Sequence, residues 1–114
     1  TVVSRRTLLS GGEEGSGEIP GRARFQITPK GRLFVFHYVS GRNTAGKAVS
    51  ENRLLELLPD GTNSPPVTLA MKHPLSGFFT ATHRAGCAPS TTLDLLGVRV
   101  GSRHTISYAR IRLK

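Results

Sequence analysis

Tryptophan is absent from this 114-residue chain, cysteine and methionine occur once each, and five Phe with two Tyr supply all the aromatic bulk. The single Cys87 cannot build an internal disulfide scaffold or a thiolate zinc cluster, so both classes are excluded. No apolar run approaches the roughly 20 residues of a membrane helix, and no membrane partner is expected. Acidic residues are scarce too: seven Asp plus Glu stand against sixteen Lys plus Arg, a formal charge of +9 at pH 7. With only 37% hydrophobic residues, the chain can form one domain with a lean core, or two very small units.

A strongly basic chain invites a nucleic-acid reading, and the distribution of charge argues against it. Twelve of the sixteen basic residues are Arg, and they are scattered. Arg5-Arg6 is the only adjacent pair, with looser clusters at Arg22, Arg24, Lys30 and Arg32 and at Arg99, Arg103, Arg110, Arg112 and Lys114. No block of five or more like charges marks a disordered basic tail. Scattered Arg on a β protein sits on solvated strand faces or edges, where charge blocks unwanted pairing.

Patterning points to strands throughout. Residues 1–9 read as a short strand with a charged face, and residues 10–19 as a flexible connection with almost nothing to bury. In residues 23–27 the alternation puts Phe25 and Ile27 on one sheet face. Thr28-Pro29-Lys30-Gly31 is a turn, leading into the β-branched and aromatic run of residues 32–39, so the two segments form a hairpin. Residues 40–50 read as a polar loop. Residues 51–58 are helix-compatible, with Asn52 a possible cap, but they are short and stop at Pro59-Asp60-Gly61-Thr62. A strand over residues 52–58, paired across that turn with residues 66–71, is the better assignment. Further strands are expected over residues 76–82, 91–98 and 104–113, the last with Ile106, Tyr108 and Ile111 set against Ser107 and Arg110 and one slip that a bulge would explain. The fold class is all-β.

An offset of 54 residues lays Pro20 on Pro74, Phe25 on Phe79, Thr28 on Thr82 and Lys30 on Arg84, and residues 52–58 on residues 106–112. A period near 50 residues carrying about four short strands is the size of a β-propeller blade. Residues 20–72 then form a first blade of four strands and residues 73–114 a second of three, with residues 1–9 as the strand that closes a blade. Two blades cannot close a ring, which takes about four to eight. Such a chain is a piece of a larger propeller or self-associates, and a homotrimer gives six blades. The competing architecture is one β-sandwich.

The hairpin Ala23-Arg24-Phe25-Gln26-Ile27-Thr28-Pro29-Lys30-Gly31-Arg32-Leu33-Phe34-Val35-Phe36 resembles a blade hairpin of sialidase-like β-propellers of the bacterial neuraminidase repeat class. Phe78-Phe79-Thr80-Ala81-Thr82 and residues 106–113 resemble later strands of such proteins, so the likeness covers roughly residues 20–113 and their C-terminal two blades. The repeat's Ser-x-Asp-x-Gly-x-x-Trp turn is missing, and Asp60-Gly61-Thr62 is an ordinary turn. A complete sialidase carries an arginine triad and a Tyr–Glu nucleophile pair, a set that cannot be located in this sequence. The resemblance therefore implies a propeller fold more than an activity.

Catalytic constellations are thin. Glu51 beside Arg53 reads as a salt bridge before a catalytic carboxylate, and Tyr108 beside Arg110 as a packed aromatic before a nucleophile. His37, His73, His83 and His104 lack the short spacings of metal sites, so neither metal nor cofactor is expected. The expected function is non-catalytic binding of a glycan or other anionic ligand at a face lined by Arg24, His37, Glu51, Arg53 and Arg84. A fragment or oligomeric form of a sialidase-like glycoside hydrolase, a basic nucleic-acid-binding β protein and a purely structural module are the alternatives.

Overall fold

The computed structural model describes residues 1–2, 5–8, 10–11, 17–80, 89–102 and 104–113. Seven strands build two antiparallel sheets, and the described residues contain no helix. Sheet A runs in sequence order through β1 (Glu18–Ile27), β2 (Leu33–Arg42), β3 (Ala48–Leu57) and β4 (Val67–Thr68). Sheet B does the same with β5 (Leu75–Thr80), β6 (Thr92–Arg99) and β7 (Ile106–Arg112). The all-β expectation holds. The 54-residue offset relates first strand to first strand and third to third, since Phe25 and Phe79 lie in β1 and β5 and the other matched segments in β3 and β7.

Turn chemistry sets the sheet A meander. Gly31, at φ +82°, closes the first hairpin by donating to Thr28 O at 2.9 Å. The loop expected over residues 40–50 shrinks to five residues, because β2 runs to Arg42 and β3 starts at Ala48. Asn43 explains the contraction: its Oδ1 accepts from the Ala45 and Lys47 amides, both at 3.0 Å, giving the reversal within the hairpin. The helix-compatible Leu-Leu-Glu-Leu run is strand, in unbroken register with β2 from Leu33↔Leu57 to Arg42↔Ala48. Its partner over residues 66–71 is reduced to Val67–Thr68. Pro65 and Pro66 offer no N–H before it, and Met71 N–H turns back to Leu69 O after it.

Neighbours directly opposite in a sheet share a face, so the registers sort the side chains. On the inner face of sheet A, Phe36 lies between Arg24 and Leu54 and packs into a core with Leu75, Leu93 and Leu95 of sheet B. Tyr38, Leu69, Met71 and Ile111 border it. Asn52, 1% exposed, ties the sheets together: its Nδ2 donates to Leu75 O and its Oδ1 accepts from Leu75 N, both at 2.9 Å. The two sheets approach most closely at their first strands, β1 and β5.

Several expectations are corrected. The described residues of 1–9 form no strand; Arg6 instead donates from Nη1 to Thr62 O at 2.7 Å and Asn63 Oδ1 at 3.0 Å, a side-chain anchor. Glu18 and Ile19 belong to β1 rather than to the flexible connection. Phe25 and Ile27 do share a face, but it is the outer one, with Phe25 70% exposed, while Gln26 and Thr28 are buried. β7 pairs with β6 without a slip, which parts Ile111 from Ile106 and Tyr108: Ser107, Ala109 and Ile111 turn inward, and Ile106 and Tyr108 are exposed. The reason is β6, whose Leu93 and Leu95 fix the core-facing side at Ile111 and Ala109. Residues 81–82 of the strand expected over residues 76–82 lie outside the described residues.

Candidate functional site

The outer face of sheet A gathers the polar chemistry. Its register slips between Pro20 and Ala23, where β1 has an extra residue relative to β2. Pro is tolerated there because β1 is an edge strand. Gly21 fits because a Cβ would come within 2.9 Å of Tyr38 Cδ1, so only glycine lets the bulged backbone lie this close. The bulge re-aims the start of β1, and Glu18 comes to lie opposite Gly41, on the same face as His37, Glu51 and Arg53.

Arg53 is the centre. Its Nη1 and Nη2 donate to Glu18 Oε2 and Oε1 at 2.7 and 3.0 Å, a bidentate pair. The same guanidinium lies 2.6 Å from Glu51 Oε1, which also accepts from Thr68 Oγ1 at 3.1 Å. All three charged side chains are partly buried, so the pairs are screened less than surface ones. Hydrogen bonding by Arg53 holds the Glu18 carboxyl below the usual carboxylate range, against a smaller opposing effect of burial. The hydrogen bond to Glu18 raises the Arg53 guanidinium above its ordinary value, so it stays charged. Two carboxylates against one guanidinium leave the cluster at −1.

His37 sits beside it, paired in register with Ala23 on one side and Arg53 on the other. It is 7% exposed, and its Nε2 has no hydrogen-bonding partner in the protein. Burial lowers its pKa below 6.5, and the nearby Arg53 charge adds to the effect, so the ring is neutral at pH 7. With Leu8, Pro20, Gly21, Ala23 and Val35 it lines an open-mouthed cavity of about 140 Å³ at the bulge.

The structure thus brings together three of the five residues expected at the site: His37, Glu51 and Arg53. Arg24 points to the other face, opposite Phe36, and its Nη1 donates to Ala23 O at 2.9 Å. Arg84 lies outside the described residues. Glu18 was missed because it follows a Gly/Ser/Glu stretch without apolar residues; the only signal was Ile19-Pro20 directly after it. Tyr108, expected as a packed aromatic, is 57% exposed, and its hydroxyl donates to Asp94 Oδ1 at 2.7 Å. That bond raises its pKa, the wrong direction for a nucleophile. Among the described residues no three His, Cys, Asp or Glu side chains are grouped to hold a metal ion.

No protein-family model, no curated protein and no solved structure matches this chain.

Proposed function

We propose that this chain is a non-catalytic binding module of β-propeller type that recognises a glycan on the outer face of sheet A. The observation that carries the reading is the fixed, partly exposed Glu18–Arg53–Glu51–Thr68 array on the outer face of sheet A, with the exposed Phe25 on the same face. Carboxylate oxygens accept from sugar hydroxyls, and a flat aromatic ring covers the apolar side of a pyranose. The geometry sharpens the expected ligand. An anion would meet an arginine already neutralised by two carboxylates, whereas neutral hydroxyls find free lone pairs. A hydrolytic role is disfavoured because Arg53 depresses Glu18, while a general acid needs a raised pKa.

The propeller reading draws support from two sequential meanders packed face to face and approaching most closely at their first strands. Two blades do not close, and the outer face of sheet B exposes the cross-strand neighbours Leu96, Tyr108, Val98 and Ile106. A further blade from another copy would cover them, and three copies would complete six blades. The likeness to sialidase-like propellers agrees with this arrangement.

A glycan array followed by calorimetry on hits, with the wild-type chain and Glu51→Gln, tests the binding reading. Saturable binding of neutral glycans, insensitive to salt and weakened at least tenfold by Glu51→Gln, is expected. Binding confined to polyanions and collapsing steeply with salt would assign the basic surface to nucleic acid instead. Absence of any glycan binding would refute the proposal.

A further inference from the structure

Four strand edges bound the two sheets, β1 and β4 in sheet A and β5 and β7 in sheet B. An open edge is a template for a further strand, and proteins blunt it with proline, a bulge or shortness. β1 carries Pro20 and a register slip, β4 is two residues long behind Pro65-Pro66, and β5 slips between Leu75 and Gly77. β7 has none of these devices. Its seven residues hold no proline and pair with β6 in unbroken register, with only Ser107, Ala109 and Ile111 on the inner face. Leu113 N–H donates to Thr91 O at 2.8 Å and Arg99 N–H to Thr105 O at 3.1 Å, so the odd-numbered residues of this segment bond β6. Ile106, Tyr108, Arg110 and Arg112 therefore turn their N–H and C=O to the free edge, where no described residue bonds them. In sheet A the equivalent edge, beside β3, is covered by β4.

We propose that a second copy of this chain pairs its β7 with this one, antiparallel and about a twofold axis at Ala109. Centred there, the register sets Ile106 opposite the partner's Arg112 and Tyr108 opposite the partner's Arg110, so every outward-turned backbone group of β7 meets another outward-turned group. A cation then lies beside an aromatic ring and an arginine stem beside an isoleucine, and no arginine faces another. The neighbouring registers fail. Centring on Arg110 opposes like charges, and centring on Tyr108 carries Arg112 past the end of the partner strand, which starts at Ile106. At the axis Ala109 meets its own copy in a closely spaced pair without hydrogen bonds, where a small side chain fits. The contact is isologous and closes at two copies. It uses the backbone edge of β7 rather than either sheet's face, and so stands apart from the glycan array and from face-to-face stacking of blades.

The test is light scattering over a concentration series, with hydrogen exchange at matched concentrations, on the whole chain and on Ile106→Glu and Ile106→Lys. Ile106 is 72% exposed, so neither substitution disturbs the core. The wild type is expected to form a dimer in which the Tyr108, Arg110 and Arg112 amides gain protection with concentration. The Ser107 and Ala109 amides, bonded to β6, should be protected throughout. Ile106→Glu sets a carboxylate opposite the partner's Arg112 and should dimerise about tenfold more tightly than Ile106→Lys, which sets two cations together, and high salt should shrink the difference. Equal weakening by both substitutions would overturn the edge pairing and assign the contact to the apolar face of sheet B. A trimer whose Tyr108 and Arg110 amides exchange freely would overturn it while supporting the ring. A monomer at all concentrations, or protection of those amides that does not depend on concentration, would also overturn it.

Discussion

Asn52→Ala is expected to destabilise the chain by about 4 kcal/mol, because it leaves two buried backbone groups without partners. Asn52 is 1% exposed and bonds both the N–H and the C=O of Leu75, each at 2.9 Å, from one sheet to the other. Each backbone group orphaned in the interior costs about 1–3 kcal/mol, so the pair costs about 2–6. Against a total stability of about 5–15 kcal/mol that is a large share, and it corresponds to a fall in Tm of roughly 15 °C. Asn52→Asp separates the two bonds. It keeps an acceptor for Leu75 N–H but faces a second oxygen toward Leu75 O, so it should cost at least as much as alanine. Urea unfolding monitored by circular dichroism gives the stability, and native-state hydrogen exchange reports the Leu75 amide directly. In Asn52→Ala that amide should lose most of its protection. A loss of stability below about 1 kcal/mol, or an unchanged Leu75 exchange rate, would refute the role of Asn52 as the clamp between sheets.

Further expectations concern backbone, pH and assembly. Gly41 has φ +102° and a Cβ there would collide with Gly17 O, whereas Gly46, at φ +76°, faces open space. Gly41→Ala should therefore cost about 1–3 kcal/mol and Gly46→Ala about 1 kcal/mol or less, measured by urea midpoints; equal costs would argue against the close approach. His37 has its pKa lowered by burial, so its stabilising contribution is complete above pH 6.5 and is lost as pH falls toward the folded-state value, because the unfolded chain takes up the proton first. The depressed Glu18 behaves in the same direction lower down: its contribution is present above the usual carboxylate range and disappears as pH falls through its folded-state value. Urea midpoints between pH 8 and pH 5 should decline less in His37→Phe than in the wild type, and parallel curves would contradict the assignment. Ile106, 72% exposed, and Leu96 lie on the outer face of sheet B, so Ile106→Lys with Leu96→Lys should reduce any self-association to monomer in light scattering without lowering Tm. A wild-type chain that is monomeric at all concentrations would refute the assembled ring.

Local sequence determined the strand class, the sheet count and the turns at Gly31 and Gly61, though not the tight reversal at Asn43. Gly31 and Gly61 after Pro29 and Pro59 leave the chain little choice but to reverse, and the β-branched and aromatic run of residues 32–39 extends between them. The pairing of Glu51 with Arg53 was also legible, since residues two apart on a strand share a face. Facing was not legible. Alternation says that Phe25 and Ile27, or Ile106 and Tyr108, point the same way, but not which way; only the packing of Phe36 against Leu75, Leu93 and Leu95 decides that both pairs turn to the outside. Asn52 illustrates the same limit, reading locally as a helix cap and serving instead as the clamp on Leu75. The site depended on one slipped register between Pro20 and Ala23, which places Glu18 beside Arg53 and opens the cavity at His37. No local pattern encodes that slip, because it results from how close the backbone of Gly21 can come to Tyr38 across the sheet.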